Sequence, residues 1–115
     1  MVNAQTWLNE KFPNQKAKKK VIRLHIYSYS GTENNNGQNC IFFNTKLEGE
    51  LDLSDFTNLN DCYIGCGSFF CQYSNYHKLN LLKLENCIKL DDFCLRYNDD
   101  QLSVRGNSTP NNFYI

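Results

Sequence analysis

The sequence predicts an α/β repeat fold: a short, irregular solenoid of parallel β-strands with a capping helix at its N-terminal end. Two observations support this prediction. Apolar residues follow the spacing 2, 3, 3 in residues 51–59, and the same spacing returns thirty-one positions later in residues 82–90. Ahead of both stretches, residues 4–12 carry apolar side chains at helical spacing. Repetition of one unit along a chain is the sequence signature of a stacked architecture.

The repeated unit continues downstream into the spacing L-x-x-L-x-L-x-x-N, which is that of the strand segment of a leucine-rich repeat. The corresponding residues of the two copies are Leu59, Cys62, Ile64 and Gly67, and Leu90, Phe93, Leu95 and Asn98. Further copies begin at Val21 and Leu102. The steps between copies are unequal, so loop insertions are expected at about residues 30–46 and 67–78, because solenoid turns accommodate extra residues as loops.

The chain of 115 residues is expected to be one small domain or a fragment of a larger one. Residues 1–20 are the predicted cap and basic linker, residues 21–110 the irregular repeats, and residues 111–115 a C-terminal tail. The helix is expected to begin after Asn3, a favourable N-cap, and to end before Pro13. Its expected role is to cover the open end of the solenoid, with membrane-surface binding or partner docking as the alternative. The basic residues 16–20 are interpreted as a solvated linker, with nuclear targeting as the alternative.

Composition excludes several classes of partner. The chain has 12 basic and 12 acidic residues, so no net field attracts it to nucleic acid or to an anionic membrane. No apolar run approaches the length of a membrane span. The N-terminus lacks the apolar core of a signal peptide, which predicts a cytoplasmic or nuclear protein. Thiols stay reduced in those compartments, so all six cysteines are expected to be free.

The sequence shows no arrangement typical of an enzyme or of a cofactor site. It has no glycine-rich phosphate loop, and neither His25 nor His77 has a nucleophile and an oxyanion hole supplied nearby. We therefore expect no catalysis and no cofactor. The alternative function is a small cysteine-rich metal-binding domain, because zinc takes thiolate and imidazole ligands and four such residues lie close together. They are Cys62, Cys66, Cys71 and His77, without a C-x-x-C pair among them.

A binding surface is predicted on the concave strand face. Alternate strand residues point outward, and neighbouring strands bring equivalent positions together as columns. The predicted columns are Arg23, Asp61 and Asp92, then His25, Tyr63 and Cys94, then Tyr27, Gly65 and Arg96. Aromatic and Arg side chains are frequent interface anchors, so Tyr27, Tyr63 and Arg96 are favoured. The aromatic loop in residues 69–77 is expected to fold back over the core, with a recognition patch as the alternative.

The C-terminal end is expected to leave a repeat unfinished after Val104. Repeat arrays need a terminal cap for solubility. We therefore expect Phe113, Tyr114 and Ile115 to fold over this edge, or two chains to associate through it.

Residues 47–59 resemble the leucine-rich-repeat proteins of filamentous fungi. Many of those proteins place a short helix, similar to the one at Ala4–Leu8, ahead of repeats built on L-D-L-S, which stands here at residues 51–54. The resemblance implies a protein-interaction or scaffold module that binds another protein. In some relatives the repeats are joined to a kinase-like domain, which this chain lacks, and no catalytic residues correspond.

Overall fold

Two α-helices and nine β-strands make up the regular structure of the part of the chain that the computed structural model describes, which is residues 1–29, 40–68, 71–99, 102–106 and 112–113. The helices are α1 (Ala4–Lys11) and α2 (Gln15–Lys19), and Tyr73–Asn75 forms a short 3-10 helix. The strands are β1 (Val2–Asn3), β2 (Arg23–Tyr27), β3 (Cys40–Asn44), β4 (Leu47–Asp52), β5 (Asp61–Gly65), β6 (Lys78–Lys83), β7 (Asp92–Leu95), β8 (Ser103–Arg105) and β9 (Asn112–Phe113).

The strands form two sheets, in which every pairing between named strands is parallel. The four-stranded sheet has the order β1-β4-β6-β8, and the five-stranded sheet has the order β3-β2-β5-β7-β9. From β4 onward, each strand lies in the other sheet from the strand before it. The prediction of an α/β fold with parallel strands is therefore confirmed. The sequence did not predict the four-stranded sheet as a separate sheet. Its strands lie within segments that were interpreted as leading into each repeat.

The repeated 2, 3, 3 spacing is the spacing of a corner between the two sheets. Residues 53–59 and residues 84–90 each make two successive turns, closed by backbone hydrogen bonds that bridge three residues. These bonds run from Phe56 N to Leu53 O (2.9 Å), Leu59 N to Phe56 O (3.1 Å), Cys87 N to Leu84 O (3.1 Å) and Leu90 N to Cys87 O (3.2 Å). The two corners are in contact, because the Cys87 thiol donates to the Leu53 carbonyl at 3.1 Å.

The core lies between the two sheets and contains the apolar residues of both corners. Leu51, Leu53, Phe56 and Leu59 are all fully buried. At the equivalent positions of the second copy, Leu82, Leu84 and Cys87 are also buried, and Leu90 is partly buried against them. Burial of a large apolar side chain stabilises the folded state by about 1.5–3 kcal/mol. The repetition in the sequence is thus a repetition of core contacts.

The N-terminal helix α1 forms where it was predicted. The Asn3 side chain accepts a hydrogen bond from Thr6 N at 3.0 Å, so Asn3 is the N-cap. The buried face of α1 includes Trp7, whose ring makes an edge contact with Phe43 at 4.9 Å between centroids. Phe12 follows the last helical residue and contacts the Phe56 ring in the same manner at 5.3 Å. The helix therefore covers the first corner.

Two elements differ from the sequence prediction. Residues 15–19 of the basic segment form α2, because Asn14 caps it by accepting from Ala17 N at 2.8 Å. The segment predicted as the first loop insertion contains a strand, β3. Ile41 and Phe43 were expected to return the chain to the core, and both pack against it. Isoleucine and phenylalanine favour strands, and this run pairs in register with β2.

The chain also continues past the end at which a repeat was expected to remain unfinished. Strand β9 pairs with β7 and places the backbone of Phe113 beside Leu95. The predicted positions of Tyr114 and Ile115, and most of the first loop, lie outside the described residues. Association of two chains through this end stays a prediction.

Candidate functional site

The outer face of the five-stranded sheet brings together the predicted binding residues. Side chains along its strands alternate between core and surface. The inward residues, all buried, are Leu24, Ile26, Cys62, Ile64, Phe93 and Leu95. The outward residues pair in the predicted columns: Arg23 with Asp61 and Asp61 with Asp92, His25 with Tyr63 and Tyr63 with Cys94, and Tyr27 with Gly65. Arg96 lies one residue beyond β7, where its backbone N–H donates to Ile64 O at 2.9 Å.

Three rings form the centre of this face, and we call His25, Tyr27 and Tyr63 the aromatic face. The ring centroids of Tyr27 and Tyr63 are 5.5 Å apart, and those of His25 and Tyr63 are 5.9 Å apart. The His25 and Tyr27 rings meet edge to face at 6.2 Å. Tilted and edge contacts at these separations are favourable between aromatic rings. The three side chains are only partly buried, so each of them is in part exposed to solvent.

Hydrogen bonds fix the orientation of the His25 ring. Its Nε2 lies 3.1 Å from Asp61 Oδ2, and its Nδ1 lies 3.3 Å from the Tyr27 hydroxyl oxygen. A carboxylate can only accept, so Nε2 donates to Asp61. In the neutral ring, Nδ1 is then the acceptor for the Tyr27 hydroxyl. One hydrogen-bond network thus joins Asp61 to the rings of His25 and Tyr27.

Tyr63 is held from the other side. Its hydroxyl donates to the Cys66 carbonyl at 2.7 Å. Burial, with a smaller contribution from nearby Cys94, raises the pKa of Tyr63 to about 12. The side chain therefore remains a neutral phenol over the physiological pH range and keeps its hydrogen bond to Cys66.

A disulfide connects Cys66 to Cys71, directly after β5. The expectation of six free thiols is therefore wrong. Sequence spacing suggested no pairing because the two residues belong to a segment without periodicity, and the turn that brings them together is not visible in a pattern of apolar residues. Cys62, Cys87 and Cys94 are free thiols, and the first two are buried in the core, where cysteine packs as a small apolar side chain.

The alternative metal site is not formed by its four predicted ligands. The disulfide removes Cys66 and Cys71, because a metal ligand must be a free thiolate. Cys62 faces the core, where burial raises its pKa well above the usual value. Within the described ranges, no group of three or more His, Cys, Asp or Glu side chains is arranged to hold a metal ion.

His77, the fourth predicted ligand, has a structural role. Its ring is fully buried, its Nδ1 accepts from Leu47 N at 3.1 Å, and its Nε2 lies 3.2 Å from the Ile26 carbonyl. A carbonyl only accepts, so the ring is the neutral tautomer with hydrogen on Nε2. Burial lowers the pKa of His77 to about 4. Both nitrogen atoms are therefore engaged in joining the backbones of β2 and β4.

Asn98 makes a corresponding pair of bonds at the position where the repeat pattern predicted an asparagine. Its Oδ1 accepts from Leu79 N and its Nδ2 donates to Leu79 O, both at 3.0 Å. Residues His77 and Asn98 also form a parallel bridge. The predicted asparagine therefore satisfies backbone groups of β6, and His77 does the same for β2 and β4.

A second group of rings extends from the loop that precedes β6, and sequence reasoning singled out only part of it. Tyr76 lies 5.4 Å from both Tyr73 and Tyr97, measured between ring centroids. Tyr97 has a φ angle of 56°, an uncommon value for an aromatic residue. Tyr73 is largely exposed and donates to Asp99, whereas His77 of the same loop is buried. The described part of the predicted aromatic loop thus both folds inward and presents a ring. Phe69 and Phe70 lie outside the described residues.

Comparison with known proteins gives no relative: no family model, curated protein or solved structure matches the chain. Among the helices described here, none has the length and apolar character needed to cross a membrane.

Proposed function

We propose that this chain is a short leucine-rich-repeat solenoid that acts as a non-catalytic protein-interaction or scaffold module, with the outer face of the five-stranded sheet as its binding surface. The repeat proposal is supported by the stacked corners at residues 53–59 and 84–90, which use the same turns and the same buried positions. Strands that alternate between two parallel sheets are the arrangement expected of such a solenoid.

The aromatic face is the observation that supports binding most directly. Its three rings are held in fixed orientations, since Tyr63 is bonded to Cys66 and His25 lies between Tyr27 and Asp61. Rigid aromatic side chains lose little conformational entropy on binding and often supply most of the affinity of an interface. Charged residues surround these rings, as at the rim of a protein interface. They are Arg23, Asp61, Asp92 and Arg96.

The outer face of the four-stranded sheet offers a comparison within the same molecule. Its exposed side chains include Glu48 and Glu50 on β4 and Lys78 on β6. Glu48 pairs with Lys78 across the two strands, a surface pair of opposite charge that contributes little to stability. These exposed side chains are charged, whereas the opposite face carries His25, Tyr27 and Tyr63, and this asymmetry favours the five-stranded sheet as the binding surface.

The experiment compares variants of the two faces. The binding-face variant combines Tyr27→Ala with Arg96→Ala, and the matched control combines Glu50→Ala with Lys78→Ala on the opposite face. Partners cross-linked to the wild-type protein in cell extract are identified, and one is purified for affinity measurement. We expect the binding-face variant to weaken that affinity at least about tenfold, as removal of an interface anchor does. The control should bind as the wild type does.

Two results would contradict the proposal. Equal losses in both variants would mean that binding does not use the aromatic face. Unchanged binding by a folded binding-face variant would move the surface to the rings of Tyr73 and Tyr76. Unfolding measurements on each variant separate a lost contact from a lost fold. The proposed compartment remains the cytoplasm or nucleus, where the Cys66–Cys71 disulfide would exchange with the thiol pool through the partly exposed Cys71.

A further inference from the structure

The Cys66–Cys71 disulfide lies at the point where the aromatic face is fastened to the chain. The Cys66 carbonyl accepts the Tyr63 hydroxyl at 2.7 Å. The next residue, Gly67, lies against the Tyr27 ring so closely that a Cβ atom there would be 3.0 Å from two ring carbons. Two consecutive residues, one of them in the disulfide, therefore position both tyrosines of the face.

Two backbone hydrogen bonds also hold this segment. Beyond the ends of β2 and β5, Ser28 N donates to Gly65 O and Gly67 N donates to Tyr29 O, both at 2.8 Å. The disulfide adds a covalent restraint across a sequence separation of 5 residues. A short closed ring reduces the conformations available to the segment when these bonds open. The disulfide is thus placed to keep the Cys66 carbonyl and Gly67 against the tyrosines.

The two cysteine residues differ in exposure. Cys66 is buried, with 3% of its surface exposed, whereas Cys71 is only partly buried. We therefore expect an incoming thiolate to attack at Cys71 rather than at Cys66. Access is one of the factors that decide which sulfur of a disulfide is attacked.

We propose that Cys66 and Cys71 form a reversible thiol–disulfide site, whose oxidised state holds Tyr27 and Tyr63 in the arrangement that binds the partner. Reduction releases this arrangement and weakens binding. The effect on the two rings follows from the geometry alone, whereas its effect on binding rests on the proposed function.

The chemistry is an exchange with a small dithiol or a dithiol protein. A thiolate of the reductant attacks Cys71 Sγ, the S–S bond breaks, and its electron pair goes to Cys66 Sγ, which takes up a proton. The second thiol of the reductant then attacks the mixed disulfide. Cys71 leaves as a thiolate and is protonated, and the reductant is oxidised to its own disulfide. A low-molecular-weight disulfide such as oxidised glutathione reverses the reaction by accepting the two electrons.

The other described thiols are poor competitors in this exchange. Cys62 and Cys87 are buried, and burial raises the pKa of each thiol, that of Cys87 to about 12. Burial also raises the pKa of Cys94. Only the thiolate is nucleophilic, so these cysteines offer little of the reactive form near neutral pH.

The first measurement establishes the bond and its reversibility. Protein purified without reductant is denatured and alkylated, with and without prior reduction, and the labelled peptides are identified by mass spectrometry. We expect reduction to expose two additional thiols, at Cys66 and Cys71, and oxidised glutathione to remove them again. Labelling of both residues before reduction, with no loss in oxidised glutathione, would overturn the proposal.

The second measurement tests the connection to the aromatic face. NMR spectra of the oxidised and reduced wild type are compared for the ring protons of Tyr27 and Tyr63 and for the Gly67 amide. We expect both rings to shift on reduction and the Gly67 amide to exchange about tenfold faster, because the opened segment gains conformational freedom. Cys71→Ser should resemble the reduced protein and should not respond to reductant. Identical ring signals in all three samples would overturn the proposal.

Affinity for the purified partner separates this inference from the proposed function. We expect both the reduced protein and Cys71→Ser to bind at least about tenfold more weakly than the oxidised wild type, a change of about 1.4 kcal/mol. Binding that depends on the tyrosines but not on redox state would overturn the switch and leave the proposed function in place. Ring signals that respond to reduction while tyrosine variants bind normally would overturn the proposed function and the regulatory role together.

Discussion

Two successive parts of the chain have the same corner but differ in the segment that follows it and the next strand. We call this segment the exit. The first unit, residues 51–65, and the second unit, residues 82–95, each run from the four-stranded sheet through a corner into the five-stranded sheet. In both units, two consecutive N–H groups at the start of the strand in the five-stranded sheet donate to one carbonyl from an earlier part of the chain. Asn60 and Asp61 donate to Ile22 O, and Asp91 and Asp92 donate to Asn60 O.

The exits differ in how they satisfy buried backbone groups. After the second unit, Asn98 bonds both the N–H and the carbonyl of Leu79 within three residues of the last buried leucine. After the first unit, the equivalent position is Gly67, and His77 bonds the Leu47 N–H only after the disulfide segment and the 3-10 helix. Buried backbone groups must be paired in either case. Because His77 provides this pairing, the residues between Gly67 and His77 can carry Cys71 and the exposed ring of Tyr73.

The corners themselves provide the largest test of their equivalence. Phe56 and Cys87 occupy the same position, both fully buried, but differ greatly in side-chain volume. Phe56→Ala should lower the free energy of unfolding by about 3–5 kcal/mol, since a large cavity would form beside Phe12. Cys87→Ala should lower it by about 1 kcal/mol, since little volume and one thiol hydrogen bond are lost. Urea unfolding measures both values. If both positions have the same packing role, the larger side chain must cause the larger loss. Equal losses would therefore contradict the equivalence of the two corners.

His77 gives the first exit a dependence on pH that the second exit lacks. Its pKa is about 4 in the folded protein, compared with 6.5 for an ordinary histidine. Below pH 6.5 the unfolded chain therefore takes up a proton that the folded protein does not. The contribution of His77 to stability should be constant above pH 6.5, fall by about 3 kcal/mol as the pH decreases to 4, and change no further below that value.

His77→Gln is the matched variant for this measurement. A glutamine amide offers one acceptor for Leu47 N and one donor for the Ile26 carbonyl, but it does not titrate in this range. The difference between the unfolding profiles of wild type and variant isolates His77 from the other titrating groups. Parallel profiles between pH 4 and pH 6.5 would show that the ring is not held neutral.

The sequence predicted the regular parts of this comparison and missed the irregular ones for a physical reason. Burial imposes a spacing on apolar residues, so the positions of Leu51 and Leu82, the register of β2, β5 and β7 and the N-terminal helix could be inferred from their periodicity. Asn98 was also found, because it stands at a fixed distance from Leu95. The pairing of Cys66 with Cys71 and the inward turn of His77 depend on the path of a segment without periodicity, and no pattern of residue types encodes that path.

The candidate site divides in the same way. The columns that contain His25 and Tyr63 followed from strand alternation and the repeat register. The bond from Tyr63 to Cys66 and the contact of Gly67 with Tyr27 did not, because both involve the segment after β5. The position of Tyr97 beside Tyr76 also could not be predicted, because it depends on a backbone angle that a tyrosine rarely adopts.

The smallest of the three expected effects on stability concerns Asn98. It tests whether the backbone pairing by Asn98 stabilises the fold as the pairing by His77 does. Asn98→Ala leaves the buried N–H and carbonyl of Leu79 without side-chain partners, so the free energy of unfolding should fall by about 2 kcal/mol. Asn80→Ala is the control, because Asn80 is exposed on β6, the strand that also contains Leu79. It should change stability by less than about 0.5 kcal/mol.

Asn98→Asp sharpens the test, because a carboxylate can accept from Leu79 N but places its second oxygen against Leu79 O. A protonated carboxyl group can donate to that carbonyl and restores both bonds. The loss in free energy of unfolding that Asn98→Asp causes should therefore become smaller as the pH falls. It is measured in the His77→Gln background, so that titration of His77 does not contribute. A deficit that is independent of pH, or an Asn98→Ala variant as stable as Asn80→Ala, would mean that Asn98 does not provide the backbone pairing that His77 provides after the first unit.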